Sequence, residues 1–141
     1  MTKGNPAHPF SYPDLNDSLI NLDNFKGKAV YIDVWATWCG PCKREIPYLK
    51  ELEKEYHDKN IVFVSVSVDE ENDKQKWVDF VKERELTGIQ LFASGWSKIT
   101  DDYIINGIPR FILIDKDGKI VDSNAPRPSS DEIKDLINEI L

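Results

Sequence analysis

The sequence predicts an α/β fold, strands and helices alternating around one core, and three observations carry that prediction. Two apolar, largely β-branched or aromatic runs, residues 29–35 and 61–68, have the length and composition of buried strands. Each is followed by apolar positions at helical spacing: Ile46, Leu49, Leu52 and Tyr56 after the first, and Trp77, Val78, Phe80 and Val81 among charges after the second. A last stripe of Ile133, Leu136, Ile137 and Ile140 reads as a helix packed on a sheet. At 141 residues the chain suits one domain that buries a continuous core.

Taken in order, residues 1–9 read as a short polar leader and 10–141 as the domain. Residues 18–22, after an Asn16-Asp17 turn, form an N-terminal strand, and a loop through Gly27 leads to the strand at 29–35. The following helix is expected over 43–56, kinked at Pro47 because proline removes a backbone donor. After strand 61–68 come a helix over 74–85, a strand at 89–92 and a short helix at 99–103. Strands at 111–114 and 120–121 flank Asp117-Gly118, a strong hairpin signal. Ser129 and Glu132 have the spacing of a capping box for the last helix. There are no internal repeats or low-complexity segments.

The charge balance, 18 basic against 25 acidic residues, gives −7 and argues against nucleic acid or an anionic membrane as partner. The acidic run Asp69-Glu70-Glu71-Asn72-Asp73 reads as a solvated helix start. No apolar run approaches the ~18 residues of a membrane span, so no stable membrane insertion is expected. Residues 1–10 lack the charged and hydrophobic regions of a signal peptide, which taken literally makes the chain cytoplasmic.

The chemistry lies in Trp38-Cys39-Gly40-Pro41-Cys42, which holds both cysteines of the chain at the junction of strand and helix. A thiol attacks as its thiolate, and a free cysteine with a pKa of ~8.5 is mostly protonated near neutrality. At the N-cap, Cys39 faces unpaired backbone N–H groups, including that of Cys42, and the positive end of the helix dipole. Those donors favour a thiolate at Cys39 and not at Cys42. Cys39, at the exposed tip of the turn, is then the nucleophile and Cys42 the resolving thiol. Gly40 lets the turn close, and Pro41 falls in the first helical turn, where its missing N–H is tolerated. Two blander readings compete. A structural zinc site needs four ligands, and His8 and His57 lack suitable spacing. A static disulfide closing so short a loop would restrict the unfolded chain little.

This constellation resembles the thioredoxin superfamily, whose active-site signature is Trp-Cys-Gly-Pro-Cys after a hydrophobic strand. Asp33 falls where that family keeps a buried carboxylate, and Ile108-Pro109 where it keeps a cis-proline facing the disulfide. The added stretch around 72–103, the Cys42-Lys43-Arg44-Glu45-Ile46-Pro47 run and the segment 111–121 are similar to the ResA/TlpA group. The resemblance covers about residues 10–141. It implies a thioredoxin fold: a central mixed β-sheet flanked by helices, with an N-terminal strand extension and an inserted helix-strand segment. It also implies work outside the bacterial cytoplasmic membrane, periplasmic or membrane-anchored, with this chain then beginning after a targeting segment. Cysteine count does not decide the compartment, since a CxxC pair serves both.

A carboxylate inside the run 31–35 is desolvated, which raises the pKa of Asp33 toward that of a base for Cys42, acting through water; the competing reading is a hydrogen-bonded structural aspartate. Thioredoxins often pair this carboxylate with a lysine on the neighbouring strand, where Ser65 stands here. The resemblance implies that Pro109 turns the Ile108 backbone toward the disulfide, so that an extended substrate adds across from Cys39 as a short strand. Trp38 offers a flat apolar contact beside the thiols, with Trp35 either flanking them or belonging to the core. Arg110 reads either as a contact for acidic substrate flanks or as a solvated or salt-bridged arginine, and Glu45, one helical turn after Cys42, either as a group that tunes the thiols or, the favoured reading, as a surface glutamate. Trp77 and Trp96 read as packing residues, and neither histidine has a role.

The expected activity is thiol-disulfide exchange, leaning toward reduction because in the family the Gly-Pro dipeptide accompanies reducing potentials. The redox-active Cys39-Cys42 pair would need no metal or organic cofactor. Expected partners are oxidised protein thiols or an apocytochrome as substrate and an upstream thiol electron donor, the chain itself being a monomer. Two alternatives remain. A thiol peroxidase of related fold sets its cysteine in a Thr-x-x-Cys context, whereas Thr37 stands two residues before Cys39. A non-catalytic interaction domain of a larger envelope protein would carry the pair as a relic.

Overall fold

The structure, a computed structural model, describes residues 3–141. It opens with a separate hairpin in which β1 (Ser11–Pro13) pairs antiparallel with β2 (Leu19–Asn21), Tyr12 opposite Ile20. The Asp14 carboxylate organises the turn by accepting the Asn16 and Ser18 amides. The N-terminal strand read from the sequence is thus one arm of a two-stranded sheet outside the central one. Its partner, three residues ending in proline, is too short to show an alternation.

β3 (Ala29–Trp35) is buried along its whole length. It runs parallel to β4 (Ile61–Ser67) and antiparallel to β6 (Arg110–Ile114), so both of its edges are paired. That central position explains a continuous apolar run in place of an in-out alternation. β5 (Ile89–Phe92) lies parallel to the far side of β4, and β7 (Ile120–Asp122) antiparallel to β6. The five-stranded order β5-β4-β3-β6-β7 is the expected mixed sheet. The hairpin between β6 and β7 turns at Gly118, whose φ of 78° suits glycine.

Alternate residues of β3 serve two cores. Val30, Ile32 and Val34 pack with Trp77 and Val81 of α2 (Lys74–Glu83) and with Ile99 of α3 (Lys98–Asp102). Ala29 and Tyr31 pack on the other face with Leu52 of α1 (Gly40–Glu55) and with Ile133 and Ile137 of α4 (Glu132–Ile140). Fully burying a side chain such as Ile133 or Ile137 contributes ~1.5–3 kcal/mol each. Asp33, in register with Tyr31, therefore points toward α1, and this geometry positions the site.

Several local expectations are corrected. α1 starts at Gly40, earlier than residue 43, because Cys39 caps it and Pro41 fits its first turn, and it runs on through Pro47. Ser129 does not form the expected capping box: the cap position of α4 is Asp131, without a side-chain bond. Trp77 is fully buried as expected, but Trp96 is 47% exposed. Residues 4–7 lie along β7, with Gly4 N–H donating to Ile120 O at 2.8 Å and Ile120 N–H to Asn5 O at 2.8 Å. Among the described residues no helix is long and apolar enough to cross a membrane.

Candidate active site

At the end of β3 the chain turns, Cys39 N–H donating to Ala36 O at 3.1 Å, and enters α1. Cys39 is the N-cap residue in extended conformation, and Cys42 N–H donates to its sulfur at 3.2 Å. A disulfide joins the two. Both cysteines are 4% exposed, so Cys39 is not the open tip that the sequence suggested; the exposed neighbour is Trp38, at 59%. Trp35 belongs to the core. The Ile108–Pro109 peptide is cis, and the Ile108 carbonyl oxygen lies 3.8 Å from Cys39 Sγ.

Behind the disulfide is a cavity of ≈ 30 Å³ lined by Cys42, Asp33, Glu45, Ser65, Pro109 and Phe111 among others. A water needs roughly 10–15 Å³ of such space, so the cavity that Cys42 and Asp33 share has room for one. Asp33 is buried and sits opposite Ser65 in the β3–β4 register, as the family resemblance implied. The Ser65 hydroxyl donates to its Oδ1 at 2.5 Å. Burial pushes the Asp33 carboxyl up to about 7; the Ser65 hydrogen bond works against that, and the nearby Glu53 charge adds to it.

Two more buried carboxylates escaped the sequence reading. Glu45, expected at the surface, is 8% exposed and accepts Ser129 N–H at 3.0 Å and Ser129 Oγ–H at 2.8 Å. Those bonds take Ser129 away from α4. Asp69, expected in a solvated helix start, is fully buried. It accepts the Thr37 amide at 3.1 Å, the Thr37 hydroxyl at 2.7 Å and the Ser67 hydroxyl at 2.5 Å, pinning the strand-to-helix turn that carries Cys39. Only the rest of the acidic run is a helix start, with a short 3-10 turn at Glu71–Asp73 before α2.

Arg110 serves the backbone. Its guanidinium donates to Ser123 O at 2.8 Å and to Tyr103 O at 3.4 Å, holding the loop that leads to Pro109. Neither histidine approaches the cysteines: His8 packs edge-on against Tyr103, and His57 is exposed beside Asp58. Among the described residues no group of three or more His, Cys, Asp or Glu is placed to hold a metal ion.

The Redoxin family model matches residues 2–140 of the chain. The chain belongs to the redoxin family. Thiol-disulfide oxidoreductase ResA of Bacillus cereus is 33% identical over 140 residues, covering 99% of this redoxin and 79% of that protein. ResA of Bacillus subtilis is 29% identical over 140 residues, covering 99% and 76%. A solved structure described as a candidate thiol-disulfide oxidoreductase from Bacteroides vulgatus superimposes with a TM-score of 0.90 at 41% identity, covering 99% and 97% of the two chains. This redoxin is thus a ResA/TlpA-like member of the thioredoxin superfamily, an oxidoreductase that works by dithiol-disulfide exchange with its Cys39-Cys42 pair.

Proposed function

We propose that this redoxin reduces disulfides in proteins, with Cys39 as nucleophile, Cys42 as resolving thiol and Asp33 as its base. The observation that carries this reading is the Cys42 N–H donated to Cys39 Sγ at 3.2 Å, which favours a thiolate at Cys39 alone. The Cys39 thiolate attacks a substrate disulfide, one substrate sulfur leaves as a thiolate, and a mixed disulfide forms. Asp33 takes the Cys42 proton through a water in the cavity. The Cys42 sulfur then attacks Cys39 Sγ, the Cys39–substrate bond breaks, and the second substrate sulfur leaves. Two electrons have passed to the substrate, and an upstream thiol donor restores the dithiol.

Trp38 and the Ile108 backbone beside Pro109 hold the extended substrate, while Gly40 and Pro41 shape the turn. Oxidised protein thiols are the substrate class, an apocytochrome among them. The similarity to ResA supports a place outside the bacterial cytoplasmic membrane. The chain acts as a monomer and uses no metal or organic cofactor.

The reduction potential of the pair, measured by equilibration against glutathione or dithiothreitol, tests the direction. A value near the about −270 mV of thioredoxin is expected; one near the about −120 mV of DsbA would make the protein an oxidant.

A further inference from the structure

Resolution of the mixed disulfide leaves the Cys42 proton on Asp33. A substrate joined to Cys39 covers the front of the site, so the proton that reaches Asp33 needs another way out. The structure offers one. Asp33, Ser65 and Gln90 occupy matched register positions on β3, β4 and β5, a polar row crossing the sheet beneath α1. Gln90 is buried and lines the same cavity as Cys42 and Asp33. Its Nε2 donates to Thr87 O at 2.7 Å, while its Oε1 is buried without a hydrogen-bond partner among the described residues. A buried acceptor left over in a polar cavity is a place for a bridging water.

At the outer end of the row stands Glu53 of α1, half-buried, its carboxylate accepting the Thr87 hydroxyl. Glu53 and Thr87 line both the inner cavity and an open groove of ≈ 630 Å³ on the side of the molecule. We infer that Glu53 is the outlet through which Asp33 exchanges its proton with solvent while the front face is covered by substrate. The inference rests on the base role proposed for Asp33.

The surrounding charges fit. Glu53 lines the same cavity as Asp33, and its charge adds to the burial that holds the Asp33 proton on. Burial also raises the affinity of Glu53 for a proton, opposed by the Thr87 hydroxyl and by Lys50. Lys50 Nζ donates to Arg84 O at 2.5 Å, so it sits beside the path as a fixed charge. Lys54, His57 and Glu85 face the groove end, and Glu45 faces the inner end with both oxygens occupied by Ser129. Tyr31, the other titratable group that burial and Asp33 perturb, has its hydroxyl donated to Pro126 O at 2.7 Å and takes no part. No electrons move in this step: Asp33 gives up its proton to a water, the Glu53 carboxylate accepts one, and Glu53 releases it to the groove.

Rapid quench and mass spectrometry, with a disulfide-bonded peptide as substrate, separate formation of the mixed disulfide from its resolution. Glu53→Gln is expected to slow resolution at pH 7 by about tenfold, less than the ~100-fold of losing the direct base, with the first attack within twofold of wild type. Glu53→Ala is expected to be slow as well, and to recover in proportion to added formate reaching the groove. Resolution at the wild-type rate in both Glu53 variants, with Asp33→Asn slow, would overturn the outlet and leave the base intact. A slow Glu53→Ala that formate does not restore, with a defect equal at all pH values, would make Glu53 structural and also overturn it. Normal resolution in Asp33→Asn would remove the base reading and the outlet together. If Glu53→Ala fails to fold, the isosteric Glu53→Gln decides between these outcomes through its pH profile.

Discussion

Asp33 and Asp69 are both buried aspartates near the end of the parallel strands, and they are solvated by the protein in different ways. Asp69 receives three donors, from the Thr37 amide, the Thr37 hydroxyl and the Ser67 hydroxyl. Asp33 receives a single side-chain donor, Ser65, and otherwise faces a cavity with room for water. A carboxylate surrounded by fixed donors is a brace, since its charge is compensated by groups that cannot leave. One left under-compensated next to a thiol is held near the pH at which it can exchange a proton. The pair teaches that burial of an acid does not by itself mark a base; the count of its donors does.

The sharpest way to break that contrast is to remove each acid. Asp69→Ala strands an amide and two hydroxyls in the interior and is expected to lower unfolding free energy by about 3–5 kcal/mol, read by urea denaturation. If it instead slowed resolution in a folded protein without loss of stability, the brace assignment would fail. Asp33→Asn is expected to do the reverse, slowing resolution ~100-fold at pH 7 while sparing the first attack.

The same substitution has a pH signature in stability. Asp33 binds its proton more tightly folded, at about 7 against an ordinary 3.8. Its contribution is therefore whole below the unfolded value and is lost as pH rises through the folded one. Asp33→Asn should be more stable than wild type above pH 7, by about 1–4 kcal/mol, and gain nothing at pH 3.5. A stability difference independent of pH would contradict the raised pKa.

Ser65→Ala makes a finer test. It removes the hydrogen bond that holds the Asp33 pKa down, so carboxyl titration followed by carbon NMR should move upward by about one unit. The smallest effect is expected at Ser129→Ala, which takes one of two donors from Glu45 and should cost about 1 kcal/mol in the same urea experiment. A larger loss there would place Glu45 with Asp69 as a brace.

What could be read from the sequence was what the chain writes locally. Cys39 as N-cap and Pro41 in the first turn depend on neighbours within four residues, and the burial of β3 shows in a run of seven positions, all apolar or aromatic except Asp33. The register of Asp33 with Ser65 and the cis Ile108–Pro109 peptide came through the family resemblance. The roles of Asp69 and Glu45 were illegible because Thr37 lies 32 residues from Asp69 and Ser129 lies 84 residues from Glu45. Among neighbouring charges each looks like one more solvated acid. A serine paired with a glutamate at capping-box spacing misled for the same reason: a tertiary acceptor outcompeted the local one at Ser129.

β7 is one of the two edge strands of the central sheet, and the backbone from Gly4 to Ala7 occupies its free side through bonds to Ile120 and Gly118. An open strand of this kind is a template on which a second molecule can add its own strand. Residues that look dispensable for chemistry thus close this edge of the sheet, and removing them should make the protein self-associate with rising concentration.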